Sequence, residues 1–548
     1  MKKTLGLSFL MLVMFISMFS INTLASDDMK KEDYIEGQLI VSVEGKVKEK
    51  AKNVSLIQEM NSVSDLLFDN ANLNKKGFKF VDSLLEGKDA NSVALFDNKF
   101  KEKAAKKMGY VYLVEYSTED YESIDAAKKE LKKLLKELDL KVKDVTENFT
   151  MHLLEDGAAT ASATEIAPLM HNNQRWHYEM INAPQAWGIT TGSSNVRIAV
   201  LDTGIDANHP NLRNLVDTSL GRSFVGGGTG DVQGHGTHVA GTIASYGSVS
   251  GVMQNARLIP VKVLGDNGSG SMYGIQQGIL YAASINADVI NMSLGGGGYD
   301  SGMNNAINTA VSSGTLVIAA SGNDGRGSIS YPAAYSNAIA VGSVTSNRTR
   351  SNFSNYGSGL ELMAPGSNIY STYPNGQFRT LSGTSMATPH VAGVAGLIKS
   401  ANPNLSVTQV RNILRDTAQY AGSSNQYGYG IVNAYAAVQA AGGGAVSYET
   451  NTSVSTNQST YYRGNNVTMT AIVTDQNNSR LQGATVNFTI TRPNGTTVTN
   501  ATTTNSSGVA TWTIGSNSST AVGTYQVRAQ TTYPNYQSSS ATTSFRLQ

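Results

Sequence analysis

The 548-residue chain contains no cysteine. That excludes disulfides, thiolate metal sites and a thiol nucleophile, so stability must come from core packing or bound ions. Net charge is scarce as well, with 42 Lys and Arg against 41 Asp and Glu. A chain this neutral has no basic stripe to set against phosphates, which argues against nucleic acid as a partner. Long apolar runs are also few. One, from Leu5 to Ile21, follows Lys2 and Lys3 and precedes the small-residue stretch Thr23-Leu24-Ala25. That is the pattern of a cleaved secretory signal over residues 1–25, and no second span follows it. The expectation is a secreted protein whose mature form does not cross a membrane.

What is present is unevenly distributed. About 49 of the 83 charged residues fall between Asp27 and Asp156, and the chain beyond is rich in Gly, Ser, Asn and Thr. Within the charged segment, Gln38–Val43 and Tyr110–Val114 read as strands. Ile124, Ala127, Leu131, Leu134, Leu135 and Leu138 form one helical stripe. This is an α+β unit, expected over residues 26–170. From 171 to 442, short apolar runs at Val196–Leu201, Leu258–Val263, Ala287–Met292 and Thr315–Ala320 each precede a Gly-, Ser- or Asn-rich loop. Such alternation predicts an α/β fold, a parallel sheet with helices on both faces, whose sites lie in loops at the carboxyl ends of the strands. Residues 446–548 alternate with period two, as in Val467, Met469, Ala471 and Val473, then Val486, Phe488 and Ile490, then Ala510, Trp512 and Ile514. That predicts an all-β sandwich, and the segment resembles bacterial immunoglobulin-like repeats.

Three stretches carry candidate chemistry. Ala199–Ile205 is an apolar strand ending on Asp202 and a glycine turn. Gly234–Gly241 opens a helix of small residues on His235, and Gly383–His390 opens another on Ser385. A serine hydroxyl is a weak nucleophile until a base lies within hydrogen-bond reach, and the base needs a third group to fix its tautomer. One carboxylate, one imidazole and one hydroxyl, each at an element boundary, meet that requirement. Each also has a plain structural reading: Asp202 and Ser385 as caps or turn residues, and His235 as a satisfied structural histidine, as His238 is read.

Asp-Thr-Gly, His-Gly-Thr-His-Val-Ala-Gly and Gly-Thr-Ser-Met-Ala-Thr-Pro-His, in that order, resemble the signature blocks of the subtilisin family of serine proteases. The resemblance spans about residues 176–441. It implies Ser385 as nucleophile, His235 as general base and acid, and Asp202 as its orienting carboxylate. Asn323 and the Ser385 N–H would be the oxyanion donors. His209 and His390 belong to the pattern without a catalytic role. Ser293, Leu294, Gly295 and Gly296, with Gly268, Ser269 and Gly270 opposite, would pair with an extended peptide. Gly295, Gly296 and Gly322 would leave an open pocket for a large apolar residue before the scissile bond, with Ser330 at its base.

The implied activity is broad endopeptidase cleavage of proteins and peptides by acyl-enzyme chemistry, without a catalytic cofactor, in a monomer. The charged segment would be a propeptide that assists folding and inhibits in cis until cut near Met170–His171. The stretch at about 50–101 has no counterpart in the resemblance. Many family members hold a structural calcium with an aspartate after His-Pro and a loop inside the His helix. Here Asn211 replaces the aspartate and the loop over Tyr246–Met253 is shortened, which should weaken such a site. A second, weaker site would use the carbonyls of Ala333, Tyr335 and Ala338, and Asp231 and Asp217 could serve elsewhere. The competing class is a non-catalytic adhesin on the same scaffold, which an intact Asp202, His235, Ser385 and Asn323 argue against.

Overall fold

The computed structural model describes residues 34–45, 55–86, 94–155, 158–159, 170–442, 448–475, 480–533 and 536–548. The signal segment at 1–25 lies outside them. Four strands of the charged segment, β1 (Tyr34–Gly45), β2 (Phe78–Ser83), β3 (Tyr110–Tyr116) and β4 (Leu140–Leu153), form an antiparallel sheet in the order β4-β1-β3-β2. With them go helices α1 (Leu56–Phe68), α2 (Ala71–Lys75), α3 (Asn98–Met108) and α4 (Ile124–Glu137). Ser123 caps α4 by accepting the Ala126 N–H, and the helix buries Ala127, Leu131, Leu134 and Leu135, the stripe read from sequence. The stretch without a counterpart supplies α1, α2 and the edge strand β2. A short strand, β5 (Ala158–Ala159), follows.

The next segment is built on seven parallel strands in the order β14-β13-β12-β10-β6-β8-β7. They are β6 (Gly192–Asp202), β7 (Arg222–Ser223), β8 (Asn255–Lys262), β10 (Val289–Met292), β12 (Leu316–Ala320), β13 (Ala338–Val344) and β14 (Leu360–Pro365). Short strands β9 (Ser269–Ser271) and β11 (Leu294–Gly295) and the hairpin β15 (Ile369–Tyr373)–β16 (Gln377–Leu381) lie off this sheet. The helices are α5 (Asn172–Met180), α6 (Ala183–Trp187), α7 (His235–Ile243), α8 (Met272–Ser284), α9 (Ser301–Ser312), α10 (Thr384–Ala401), α11 (Val407–Asp416), α12 (Ser424–Tyr427) and α13 (Ala434–Ala441).

Strand β6 shows why the runs of apolar residues are nearly unbroken. Ala199 and Leu201 join a core with α8 and α9, while Ile198 and Val200 join another with α7, α10 and α13. Both faces of the sheet are covered, so both parities must be apolar.

The core on the α8–α9 side is continuous with that of the charged segment. Polar contacts complement it. Asp144 accepts from Ser301 and Thr146 donates to Asp300 at 2.8 Å, both at the start of α9. Lys103 and Lys107 donate to the carbonyls of Ser312 and Asn308 at its end, at 2.7 and 3.1 Å. Acidic groups at the amino end and lysines at the carboxyl end match the helix dipole.

The described residues of 448–548 form a four-stranded and a five-stranded sheet around one core. Val467, Met469, Ala471, Val473, Val486, Phe488, Ile490 and Ala510 are buried there, with Trp512 and Ile514 packed at its margin. Among the described residues, no helix is long and apolar enough to cross a membrane.

The carboxylate of Glu361 on β14 is 4% exposed and is held by Arg411 (2.8 and 2.5 Å) and Arg415 (2.7 Å) from α11. Removing the charge leaves two arginines facing each other against the sheet. Glu361→Gln is therefore expected to cost about 3 kcal/mol, the low end for breaking a buried pair because both arginines keep some solvent. Denaturant unfolding in a Ser385→Ala background checks this, and a loss below about 1 kcal/mol would contradict it.

Candidate active site

Strand β6 delivers Asp202 to the carboxyl edge of the sheet, fully buried, and α7 begins at His235 beside it. His235 Nδ1 and Asp202 Oδ1 are 2.7 Å apart, and the same oxygen accepts the Thr203 N–H at 2.8 Å. The fit needs glycines. A Cβ on Gly236 would stand 2.1 Å from the Gly204 carbonyl, and one on Gly234, where φ is +108°, would meet the Tyr373 ring at 2.2 Å. Burial by itself pushes the His235 imidazole down. The charge and hydrogen bond of Asp202 outweigh it, with help from Glu155 and Asp231, and the net shift is upward.

Ser385 stands at the start of α10. Its hydroxyl donates to the Ser293 carbonyl at 2.9 Å and accepts the Leu154 N–H at 3.2 Å. Its own N–H donates to the Leu154 carbonyl at 3.3 Å. Asn323 is turned by Thr384, whose N–H (2.9 Å) and hydroxyl (2.8 Å) both donate to Oδ1. That leaves Nδ2 buried and unbonded, as is His235 Nε2. The structure thus joins Asp202 to His235 and Ser385 to a peptide unit of the charged segment, with no bond yet between Ser385 and His235.

The peptide unit belongs to the end of β4. Thr150, Met151 and His152 pair antiparallel with Ser271, Gly270 and Ser269, and His152 and Leu153 pair with Gly295 and Leu294. The Leu153 N–H donates to the Gly268 carbonyl at 3.1 Å. A Cβ on Gly295 would come within 2.9 Å of Leu154 Cδ1, and one on Gly268 within 2.6 Å of Leu153 Cδ2. Gly296 lies under Thr150 and Met151 in the same way. Gly322, at φ +111°, backs onto Ser330 Oγ and Asn355 Nδ2, and Ser330 Oγ is itself engaged by Asn355 at 3.1 Å.

The junction expected at Met170–His171 does not lie in the site. Met170 packs against the α7–α10 core, whereas Leu154, sixteen residues earlier, lies against Gly295.

His238, His209 and His390 are engaged in structural contacts away from Ser385. His238 Nε2 faces the Ile369 and Arg379 carbonyls at 3.0 and 3.1 Å, and burial holds it near a pKa of about 3. His209 bridges Gln377 and Asn211, and His390 bonds Met386 and His177. Sequence reading overlooked how Asp231 and Thr203 act together. Asp231 accepts from Thr203 Oγ1 (2.9 Å), Gly234 N (2.8 Å), Thr237 N (2.8 Å) and Thr237 Oγ1 (2.7 Å). Thr203 Oγ1 in turn accepts the Gly236 N–H at 3.0 Å. One carboxylate thereby ties the start of α7 to the end of β6. An acidic residue four positions before the histidine was the signal that could have found it.

The same accounting bears on calcium. Asn211 Nδ2 donates to the Tyr246 carbonyl at 3.0 Å, and Gln174 Nε2 donates to the Ser250 and Tyr370 carbonyls at 2.8 and 3.2 Å. Amide hydrogens stand where a cation would need those carbonyls. At the second place the Tyr335 carbonyl accepts the Ala338 N–H at 2.9 Å, and the Ala338 carbonyl accepts Arg411 at 3.2 Å. A guanidinium already supplies the positive charge, so Ala333, Tyr335 and Ala338 do not fit a calcium. Asp231 is spent as described, and Asp217 caps a turn through Ser219 and Leu220. Among the described residues, no group of three or more His, Asp or Glu converges as metal ligands do.

The family profile described as "Subtilase family" matches residues 193–430, and that of the MG2 domain matches 451–547. "Subtilisin Savinase" of Lederbergia lenta is 50% identical over 269 residues, 48% of this chain and 98% of its own. The "Alkaline protease" of Alkalihalobacillus alcalophilus is 47% identical over 293 residues, 53% of this chain and 74% of its own. The "M-protease" of Shouchella clausii is 47% identical over 295 residues, again 53% and 74%. The likeness runs through the same parallel sheet whose edge unites Asp202 with His235 and lays a peptide against Ser385, and on that footing the chain belongs to the subtilase family and is a subtilisin-like serine endopeptidase.

Proposed function

We propose that the protein is secreted as an inactive precursor and matures into an endopeptidase of broad specificity that prefers a large apolar residue before the cut. Ser385 is the nucleophile, His235 the base and then the acid, and Asp202 the group that fixes the imidazole. Asn323 Nδ2 and the Ser385 N–H stabilise the oxyanion. The observation that carries this reading is the strand Thr150–Leu154, laid between β9 and β11 with its last carbonyl on the Ser385 N–H. Residues 26–170 are the propeptide, residues 171–442 the catalytic domain and residues 446–548 an appended immunoglobulin-like module. The enzyme works as a monomer on proteins and peptides, without nucleic acid.

The chemistry rests on what each group can do. Rotation about the Ser385 side chain moves its hydroxyl from the Ser293 carbonyl toward His235 Nε2, which is unbonded and can accept the proton. As the carbonyl becomes tetrahedral its oxygen takes negative charge, and the Asn323 amide, already oriented by Thr384, meets it without reorganising. Backbone pairing on both sides of the peptide explains breadth, because strand addition reads main chain rather than side chains. The pocket that receives Leu154 is walled by Gly295, which explains room for a large apolar residue.

Ser385→Ala is expected to abolish labelling by a serine-directed fluorophosphonate; labelling that persisted would remove Ser385 from its role. Asn323→Ala should lower kcat by about 10²–10³, the loss known for the oxyanion donor of subtilisin. Asp202→Asn should lower kcat by about 10⁴. It should also move the acidic limb of kcat/KM to lower pH: the carboxylate raises the imidazole pKa, and only the neutral imidazole, present above that pKa, can act as base. An acidic limb that stayed put or moved upward would overturn the pairing as the source of the shift.

We propose further that neither calcium place is used. Excess chelator should leave the Tm of the active protein unchanged, since a cation bound at a hundred times its Kd would contribute about 2.7 kcal/mol and be seen. A fall of several degrees, reversed by calcium, would refute this.

A further inference from the structure

Resting on the proteolytic reading above, we propose that the groove continues beyond its paired strands into a subsite for a large apolar side chain six residues before the cut. Its walls are Met272 and Gly297. The strand lying in the groove marks both the place and the kind of side chain that fills it.

Alternation along that strand sorts its side chains. Thr150, Met151 and His152 pair with β9, and His152 and Leu153 with β11, so the backbone is extended and successive side chains take opposite faces. His152 is exposed. Met151 is 1% exposed, and Phe149, two residues back on the same face, is 6% exposed. With Leu154 as the first residue before the bond, Met151 is the fourth and Phe149 the sixth.

Phe149 stands one residue beyond the last backbone pair with β9, yet the catalytic domain still receives it. A Cβ built on Gly297 would lie 3.0 Å from Phe149 Cβ, 3.1 Å from its Cγ and 3.4 Å from Met272 Cε. The aromatic side chain and the Met272 methyl therefore close on one point, above the bare backbone of Gly297. Met272 opens α8 directly after β9, and Gly297 follows β11 by two residues. The walls are thus continuations of the two strands that grip the peptide backbone. Gly297 has φ +62°, where any side chain would add strain as well as bulk. One residue further out, Asn148 Oδ1 accepts the Tyr273 N–H at 3.1 Å in the first turn of α8, which keeps the strand in register.

The atoms that meet at this point are carbon, and methionine adapts its shape to its neighbour. The subsite therefore favours apolar bulk and has nothing to offset the desolvation of a carboxylate. Pairing with β9 and β11 reads main chain; this contact reads a side chain. Binding energy from so remote a group can be used at the reacting bond, but only by substrates that extend six residues upstream. A large apolar residue in an extended stretch is commonest in unfolded protein, because folding buries it.

Internally quenched peptides test the subsite. They are identical from the fifth residue before the cut onward and carry Phe, Ala or Asp at the sixth. Mature enzyme is counted by fluorophosphonate titration, and product masses confirm a single cut. The Phe peptide should exceed the Ala peptide about tenfold in kcat/KM, the order expected for one largely buried aromatic side chain. The Asp peptide should be poorest, and a peptide that begins at the fifth residue should match the Ala peptide. Gly297→Ala, whose methyl would occupy the subsite, should erase most of the preference for Phe. Phe and Ala peptides cut alike overturn the subsite, as does a preference that Gly297→Ala leaves intact. An enzyme that labels and cuts every peptide equally fails this proposal alone; one that neither labels nor cuts refutes the proteolytic reading.

Discussion

The bond between Asp202 and His235 is the constraint to which the surrounding structure is fitted. Both side chains are fully buried, and a carboxylate taken out of water is unfavourable unless donors surround it. Asp202 Oδ1 receives the Thr203 N–H and faces His235 Nδ1; no bulk solvent shares the task. Keeping an imidazole at 2.7 Å requires that α7 begin at one place, and Asp231 provides it by binding Thr203, Gly234 and Thr237 together. The glycines on either side of His235 arise from the same demand, since the Gly204 carbonyl and the Tyr373 ring occupy the places of their missing Cβ atoms. The motif around His235 is thus a packing requirement as much as a chemical one.

What the sequence reveals and what it hides divide along a physical line. The strands over 196–201, 258–263, 287–292 and 315–320 were readable because double-faced burial forces continuous apolar runs, and the structure has a parallel strand at each. The sandwich was readable because its alternation is local. Asp202, His235 and Ser385 stand out in the sequence because each sits within a short stretch whose spacing is fixed by a strand end or a helix start. Which residues fill the groove was not readable. Leu154 and Met170 are both apolar residues ahead of the catalytic segment, and only the pairing of β4 with strands more than a hundred residues away distinguishes them. The cation bonded to the Ala338 carbonyl is Arg411, 73 residues further on, and no local pattern announces it. Nor could composition show that the stretch around 50–101 completes a sheet by adding an edge strand to β3.

The crowding of charge ahead of the catalytic domain also has a physical account. Acidic Asp144 and basic Lys103 and Lys107 meet opposite ends of α9, while the apolar cores beneath merge into one. Neither half of that contact would suffice alone. Apolar burial gives area without orientation, and surface charge gives orientation with little energy. Together they aim β4 so that its last residues run into the groove between β9 and β11.

That aim has an electrostatic consequence at the catalytic base. Burial lowers the tendency of His235 to hold a proton, Asp202 more than restores it, and Glu155 and Asp231 add to the same side. Glu155 lies just past the bond against Ser385, so the uncut chain contributes one of the charges that favour imidazolium. Imidazolium cannot accept the hydroxyl proton. Without the Glu155 charge the imidazole would stay neutral to somewhat lower pH. On the proposed reading, the strand in the groove would restrain the enzyme twice, by occupying the groove and by favouring the proton on His235.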